Sequence, residues 1–167
     1  MSLIDKLAQS IRTPEQNPAG EDPRHLARQL TLQFLYQLTV QNGANLDQMD
    51  SFLSEYSDNS QARQLAAGWI RGAWQQRKCL DEMIGRISAN WDLARISLVD
   101  LSNLHLAVYQ LLNCPEIPAK VIINEAVELA KIFSTAQAPA FINGVLDALR
   151  IKIKNKIKNI KIMELPQ

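Results

Sequence analysis

Cysteine, glycine, proline and long apolar runs are all scarce in this chain, and each scarcity excludes something. Of 167 residues only two are cysteine, Cys79 and Cys114, with no CxxC spacing and only two histidines in the chain. A disulfide scaffold and a zinc module are therefore not expected, and no metal site is. Six glycines and seven prolines are too few for a loop-rich or fibrous chain. No apolar run approaches the roughly 18–20 residues that span a bilayer. The opening MSLIDKLAQSI lacks a basic stretch followed by a long apolar one, so no secretory signal is read there, and the expected compartment is the cytoplasm. What remains is 47% hydrophobic and 21% charged, the balance of an ordinary globular domain with a core of its own.

The net charge of +1 conceals an uneven distribution. Arg150, Lys152, Lys154, Lys156, Lys158 and Lys161 fall within residues 150–161, which hold no acid. Removing these six from 18 basic residues leaves twelve against 17 acidic ones, a net of −5 for the remainder. Such a block suits contact with a polyanion, and equally a solvated tail.

The apolar pattern is helical nearly throughout, and the expected class is all-α, a compact bundle of about seven helices. Leu3, Ile4, Leu7 and Ile11 suit a short amphipathic helix, and residues 13–22 a linker. Asp22-Pro23 is a helix start, an acceptor for free amides followed by a proline that has no N–H to lose. The helix it opens is apolar over most of its circumference, with a narrow polar stripe: Arg24 and Arg28 one turn apart, with His25, Gln29, Gln33 and Gln37 alongside. Asn42-Gly43 ends it. Leu46, Met49, Leu53 and Tyr56 make a short second helix. A long third begins near Asn59 or Ser60 and buries Ala62, Leu65, Ala66, Trp69, Ala73, Leu80, Ile84 and Ile87. Trp91 falls in a connector. Ser97 caps the next helix, with Leu98, Leu101, Leu104, Val108 and Leu111 inward, and Cys114-Pro115 stops it. Pro118 opens another with Val121, Ile122, Ala126, Leu129 and Phe133 on one side. The last starts near Pro139 and carries apolar residues every three or four positions from Ile142 to Ile160. The IKIK alternation within it also suits a strand, but helical spacing over that whole length is the preferred reading. Three segments follow: an extension 1–21, a helical domain 22–150, and a basic tail or helix extension 151–167.

No catalytic residues are proposed and no cofactor is implied. There is no glycine-rich phosphate loop, no GxSxG, no HExxH and no acidic metal loop. His105 beside a leucine stripe reads as a satisfied, partly buried histidine. Cys79 and Cys114 read as packing residues. Glu125 and Glu128 read as a solvated face, with Lys131 available for an ion pair. The Arg24–Arg28 strip is the more informative feature. It lies at a helix N-terminus, whose dipole favours anions, and guanidinium groups grip phosphate or stack on bases. RNA binding and an ordinary solvated helix end are both open on these residues alone.

WDLARISLVDLSNLHLAVYQLL, IPAKVIINEAVELAKIF and APAFINGVLDAL, in that order, resemble the bacterial transcription antitermination factor family NusB. RHLARQLTLQFLYQ resembles the family's arginine-rich opening, and LAAGWIRGAWQQRKCLDEMI its long middle helix. The resemblance covers roughly residues 23–150. It implies an all-helical fold of two packed helical subdomains and no enzymatic activity. It implies binding of the boxA element of nascent ribosomal RNA together with the ribosomal protein NusE, within the RNA polymerase antitermination complex that supports ribosomal RNA synthesis. By position, Arg24, His25 and Arg28 fall on the RNA-binding motif, and Tyr36 and Phe141 on aromatic positions of the RNA and NusE surface; Phe141 suits a first-turn core position equally. Three departures stand out. His25 replaces the second of two adjacent arginines, Leu101 replaces the arginine after Asp100, and His105 replaces the arginine one turn later. The lysine tail could supply cations in their place. Two other readings are a divergent helical scaffold that forms a homodimer without RNA binding, and a detached NusB-like module related to ribosomal RNA methyltransferases.

Overall fold

The computed structural model describes residues 22–87 and 93–163, with side chains as far as Lys156. The expected helix at 3–11, the linker before Asp22 and Trp91 lie outside the described residues. Among the described residues six α-helices follow one another: α1 (Pro23–Val40), α2 (Met49–Tyr56), α3 (Ser60–Ile87), α4 (Leu98–Asn113), α5 (Ala119–Phe133) and α6 (Ala138–Met163). Short 3-10 turns at Leu46–Gln48 and Leu93–Arg95 precede α2 and α4. No strand occurs among the described residues, and none of their helices is long and apolar enough to cross a membrane.

The helix boundaries arise from local chemistry. Asp22 Oδ1 accepts the Arg24 N–H at 2.9 Å, and Pro23 fills the first helical position. At the far end Asn42 and Gly43 turn left-handed, with φ of 51° and 78°. The Gly43 N–H donates to the Leu38 carbonyl at 2.8 Å, satisfying an end-of-helix acceptor. A side chain at Gly43 would be strained by this φ, and its Cβ would lie 2.8 Å from the Trp74 ring. Asn59 Oδ1 accepts the Ala62 N–H at 2.9 Å and starts α3. Ser97 Oγ accepts the Asp100 N–H and donates to the Asp100 carboxylate, a reciprocal cap for α4. Cys114 ends α4, and Pro118 precedes α5.

α1 packs against α3 and α4, while α5 and α6 form a hairpin. The two helical groups, α1–α3 and α4–α6, meet through α4, which touches α1, α3, α5 and α6 and carries one continuous apolar core across both. Every residue of α1 from Leu26 to Leu35 is buried, polar ones included. α4 is buried from Ser102 to Val108 in the same way. A single apolar stripe therefore describes neither helix. Leu98, expected inward, is 42% exposed in the first turn of α4, and Val121 is exposed likewise. Cys114 packs in the core as expected, but Cys79 is exposed, because the buried line of α3 runs through Leu80 and Ile84.

Two glycines of α3 separate backbone propensity from packing. A Cβ at Gly68 would meet nothing within 4 Å, whereas one at Gly72 would overlap the Tyr109 ring on α4. Gly68→Ala is expected to stabilise the protein by about 0.5–1 kcal/mol, the helix-propensity gain. Gly72→Ala is expected to destabilise it by about 1–2 kcal/mol despite the same gain, since Tyr109 must leave the α3–α4 seam. Urea unfolding of the two variants checks both signs.

Candidate nucleic-acid interface

The residues singled out at the start of α1 do not share one environment. Arg24 is exposed at the first turn. His25, one residue on, is half-buried, and its Nδ1 lies 2.8 Å from Glu125 Oε2 of α5. Its Nε2 meets the Gln29 amide at 3.0 Å, so both ring nitrogens are engaged. Arg28 is 3% exposed. It does not project beside Arg24 as the one-turn spacing suggested; it points into the junction of α1, α3, α4 and α5. There its Nε donates to Gln110 Oε1 at 3.4 Å, and its Nη1 lies 3.4 Å from Glu125 Oε2. Its guanidinium carbon stands 5.4 Å from the Trp69 ring centroid, a cation–π contact that burial strengthens.

Burial pulls the Arg28 guanidinium below its usual pKa, and the Glu125 carboxylate opposes that pull. Glu125 in turn titrates below the ordinary glutamate range, chiefly through the His25 hydrogen bond and then through the Arg28 charge, against its own desolvation and the Asp22 charge. A carboxylate with a depressed native pKa stabilises the fold above its unfolded pKa, and that contribution is lost as pH falls through the lower native value. The wild type is therefore expected to lose stability on acidification below about pH 4.5, the ordinary glutamate value. Glu125→Gln is expected to show a shallower loss over that window, read as chemical denaturation midpoints from pH 6 to pH 3.

Glu125 did not turn out to be part of a solvated acidic face. Lys131 pairs with Glu128 at 2.6 Å, as expected, while Glu125 turns to α1. Gln110 and Trp69 were not anticipated either. One signal was available for Glu125: Lys131 is six residues away, on another side of α5, so Glu125 had no local cation to meet.

Tyr36 and Phe141 are both half-buried against the core. Tyr36 is eleven residues beyond His25 on α1, which returns it to nearly the same face about 16 Å along the axis. Phe141 sits in the first turns of α6, a different element. The two remaining departures from the family pattern have separate outcomes. Leu101 packs against the core, whereas His105 is buried and its Nε2 lies 2.6 Å from Asp81 Oδ1 of α3, a satisfied histidine as read from its setting. Among the described residues no group of three His, Cys, Asp or Glu side chains is placed to hold a metal.

Comparison with known proteins matches residues 25–150 to the NusB family. A relative named transcription antitermination protein NusB, from Syntrophus aciditrophicus strain SB, is 40% identical over 144 residues, covering 86% of this chain and 89% of that protein. The solved structure of T. maritima NusB is similar with a TM-score of 0.70 and 34% identity, over 78% of this chain and 92% of that one. A NusB solved with NusE and double-stranded RNA shares the fold, with a TM-score of 0.71 at 21% identity over 78% of this chain and 97% of that one.

Proposed function

The chain belongs to the NusB family of non-enzymatic transcription antitermination factors, and from that premise we propose that it binds the boxA element of nascent ribosomal RNA as a single strand, together with the ribosomal protein NusE, and so joins the RNA polymerase antitermination complex in the cytoplasm. The observation that carries this reading is the α1 N-terminus. An exposed Arg24 and a half-exposed His25 stand at the positive end of an 18-residue helix whose orientation is clamped from below by Arg28, Glu125 and Gln110. Arg24 contacts phosphate or a base directly. His25 offers a ring for stacking, held in place by Glu125 and Gln29. Arg28 acts through position, keeping the His25–Glu125 pair and the α1 entry angle fixed. Tyr36 and Phe141 extend the surface offered to RNA and NusE.

This mode of action is adaptation by geometry: a rigid scaffold presents two ligands to one another and changes no covalent bond. A NusB of the same fold crystallised with NusE and double-stranded RNA supports the pairing of a protein and an RNA ligand on one scaffold. A scaffold that dimerises through the apolar face of α1 is not favoured, because that face is buried within the monomer from Leu26 to Leu35. The test is a titration of the purified full chain with labelled boxA RNA and a scrambled strand of equal length, with and without NusE, at two salt concentrations. Preference for boxA that tightens with NusE is expected. Equal binding of both strands with no effect of NusE would refute the reading.

A further inference from the structure

The edge just described is short of charge for a partner that is a polyanion. Arg28 is committed to Glu125, which leaves Arg24 and His25, while the chain outside residues 150–161 carries a net of −5. Affinity for nucleic acid rests largely on the number of phosphates that cations neutralise, so one or two exposed groups are too few.

The missing cations stand at the same end of the bundle. α1 meets Gln110, in the last turn of α4, and Glu125, in the second turn of α5, so its N-terminus lies where α4 ends and α5 begins. α5 and α6 are joined by residues 134–137 and pack along their lengths as an antiparallel hairpin. From Ala119 to Phe133 α5 rises about 21 Å, and the same rise from Ala138 brings α6 level with the start of α5 at Lys152. The burial pattern agrees: Leu149 is the last buried residue assigned on α6, and Ile151 is 49% exposed. Beyond that level α6 leaves the bundle as continuous helix, at the end that carries Arg24, His25 and the exposed Lys120. Lys152, Lys154 and Lys156 on this protrusion are all exposed, and no acidic residue among the described ones pairs with them; the one acid near, Asp147, is taken by Arg150 at 2.8 Å. Lys152 and Lys156 are one turn apart on one flank, with Lys154 on the other, and Ile153 lies between the flanks, half-buried on the line of Ile142 and Leu149.

We propose that Lys152, Lys154 and Lys156, on the protruding end of α6 at the same end of the bundle as the α1 N-terminus, hold the phosphate backbone of the RNA bound there and supply sequence-independent affinity. This rests on the RNA-binding reading above and assigns the lysines a different task from Arg24: they grip phosphate and do not read bases. The protrusion lies beyond residues 25–150, the region matched to the family.

The experiment compares the wild type, the triple variant Lys152→Gln, Lys154→Gln, Lys156→Gln, and the corresponding triple Lys→Arg variant, by fluorescence anisotropy with boxA and scrambled RNA, with and without NusE, across a salt series. The Lys→Gln variant is expected to lose affinity for both strands by the same factor, about tenfold at low salt, and its log–log salt dependence to flatten by about 2, three phosphate contacts at ~0.7 each. The Lys→Arg variant is expected to retain wild-type behaviour. An unchanged slope and affinity in the Lys→Gln variant would overturn the proposal while leaving boxA preference, and the functional reading, intact. Loss of the NusE enhancement with an unchanged RNA slope would place a protein on the protrusion and overturn it too. A wild type that binds neither strand would remove both readings together. The substituted side chains are exposed, so an unaltered melting temperature is the expected control.

Discussion

Arg28→Ala is expected to lower the unfolding free energy by about 3 kcal/mol, within the range for breaking a buried ion pair by removing one partner. The cost has three sources. Glu125 loses its Arg28 guanidinium partner and keeps His25 among the described residues; Gln110 Oε1 loses its donor; and a cavity opens against Trp69. In a chain of this size the change corresponds to a fall of roughly 6–12 °C in melting temperature. Arg28→Lys is expected to recover only part of this, because an ammonium cannot reach Gln110 and Glu125 in one plane or stack on the Trp69 face. Differential scanning calorimetry of both variants gives the answer. A fully stable Arg28→Ala protein with badly impaired RNA binding would mean that Arg28 leaves its pocket to meet the ligand, and the positioning role would have to be abandoned.

Arg24→Glu should show the opposite profile. Arg24 is exposed, so unfolding midpoints are expected to move by no more than about 0.5 kcal/mol. Binding of boxA RNA is expected to weaken by about ten- to a hundredfold, since the change removes a charge-assisted contact and sets a carboxylate against phosphate. His25→Ala is expected to weaken binding less and to lower stability slightly, because Glu125 keeps Arg28. The pair Arg24→Glu and Arg28→Ala thus separates two arginines that look alike on the page: one alters affinity at constant stability, the other alters stability first. Unimpaired assembly of Arg24→Glu with RNA and NusE would remove the α1 edge as the binding surface.

Much of the scaffold was readable before any coordinates. The Asp22-Pro23 start, the Asn42-Gly43 stop, the Asn59 and Ser97 caps and the Cys114-Pro115 break all depend on groups within five residues of one another. The long stripe of α3 held for the same reason, and so did the helical reading of residues 150–163, where spacing from Ile142 outweighed four residues of alternation. The stripe rule failed on α1 and α4. It assumes a helix with one wet side, and these two are enclosed by neighbours, so Gln29, Gln33, Asn103 and Gln110 are buried alongside leucines.

The polar strip at the start of α1 was legible in the sequence, but the setting of each of its residues was not. Composition and spacing located the cationic start of α1, yet they could not divide Arg24 from Arg28, because one helical turn separates the two whether or not something covers the second. That division is made by Glu125, a hundred residues from His25 along the chain, brought across because α4 packs against both α1 and α5. Local hydrogen-bond chemistry and apolar period, both written within a few residues, determine which segments are helical and where they stop. Which charges meet water and which are neutralised inside depends on contacts between segments remote in the chain, whose pairing no short stretch encodes. The same distinction governs the far end of α6: its lysines are plain in the sequence, but only the length of the α5–α6 hairpin carries them past the core to the end of the bundle where α1 begins.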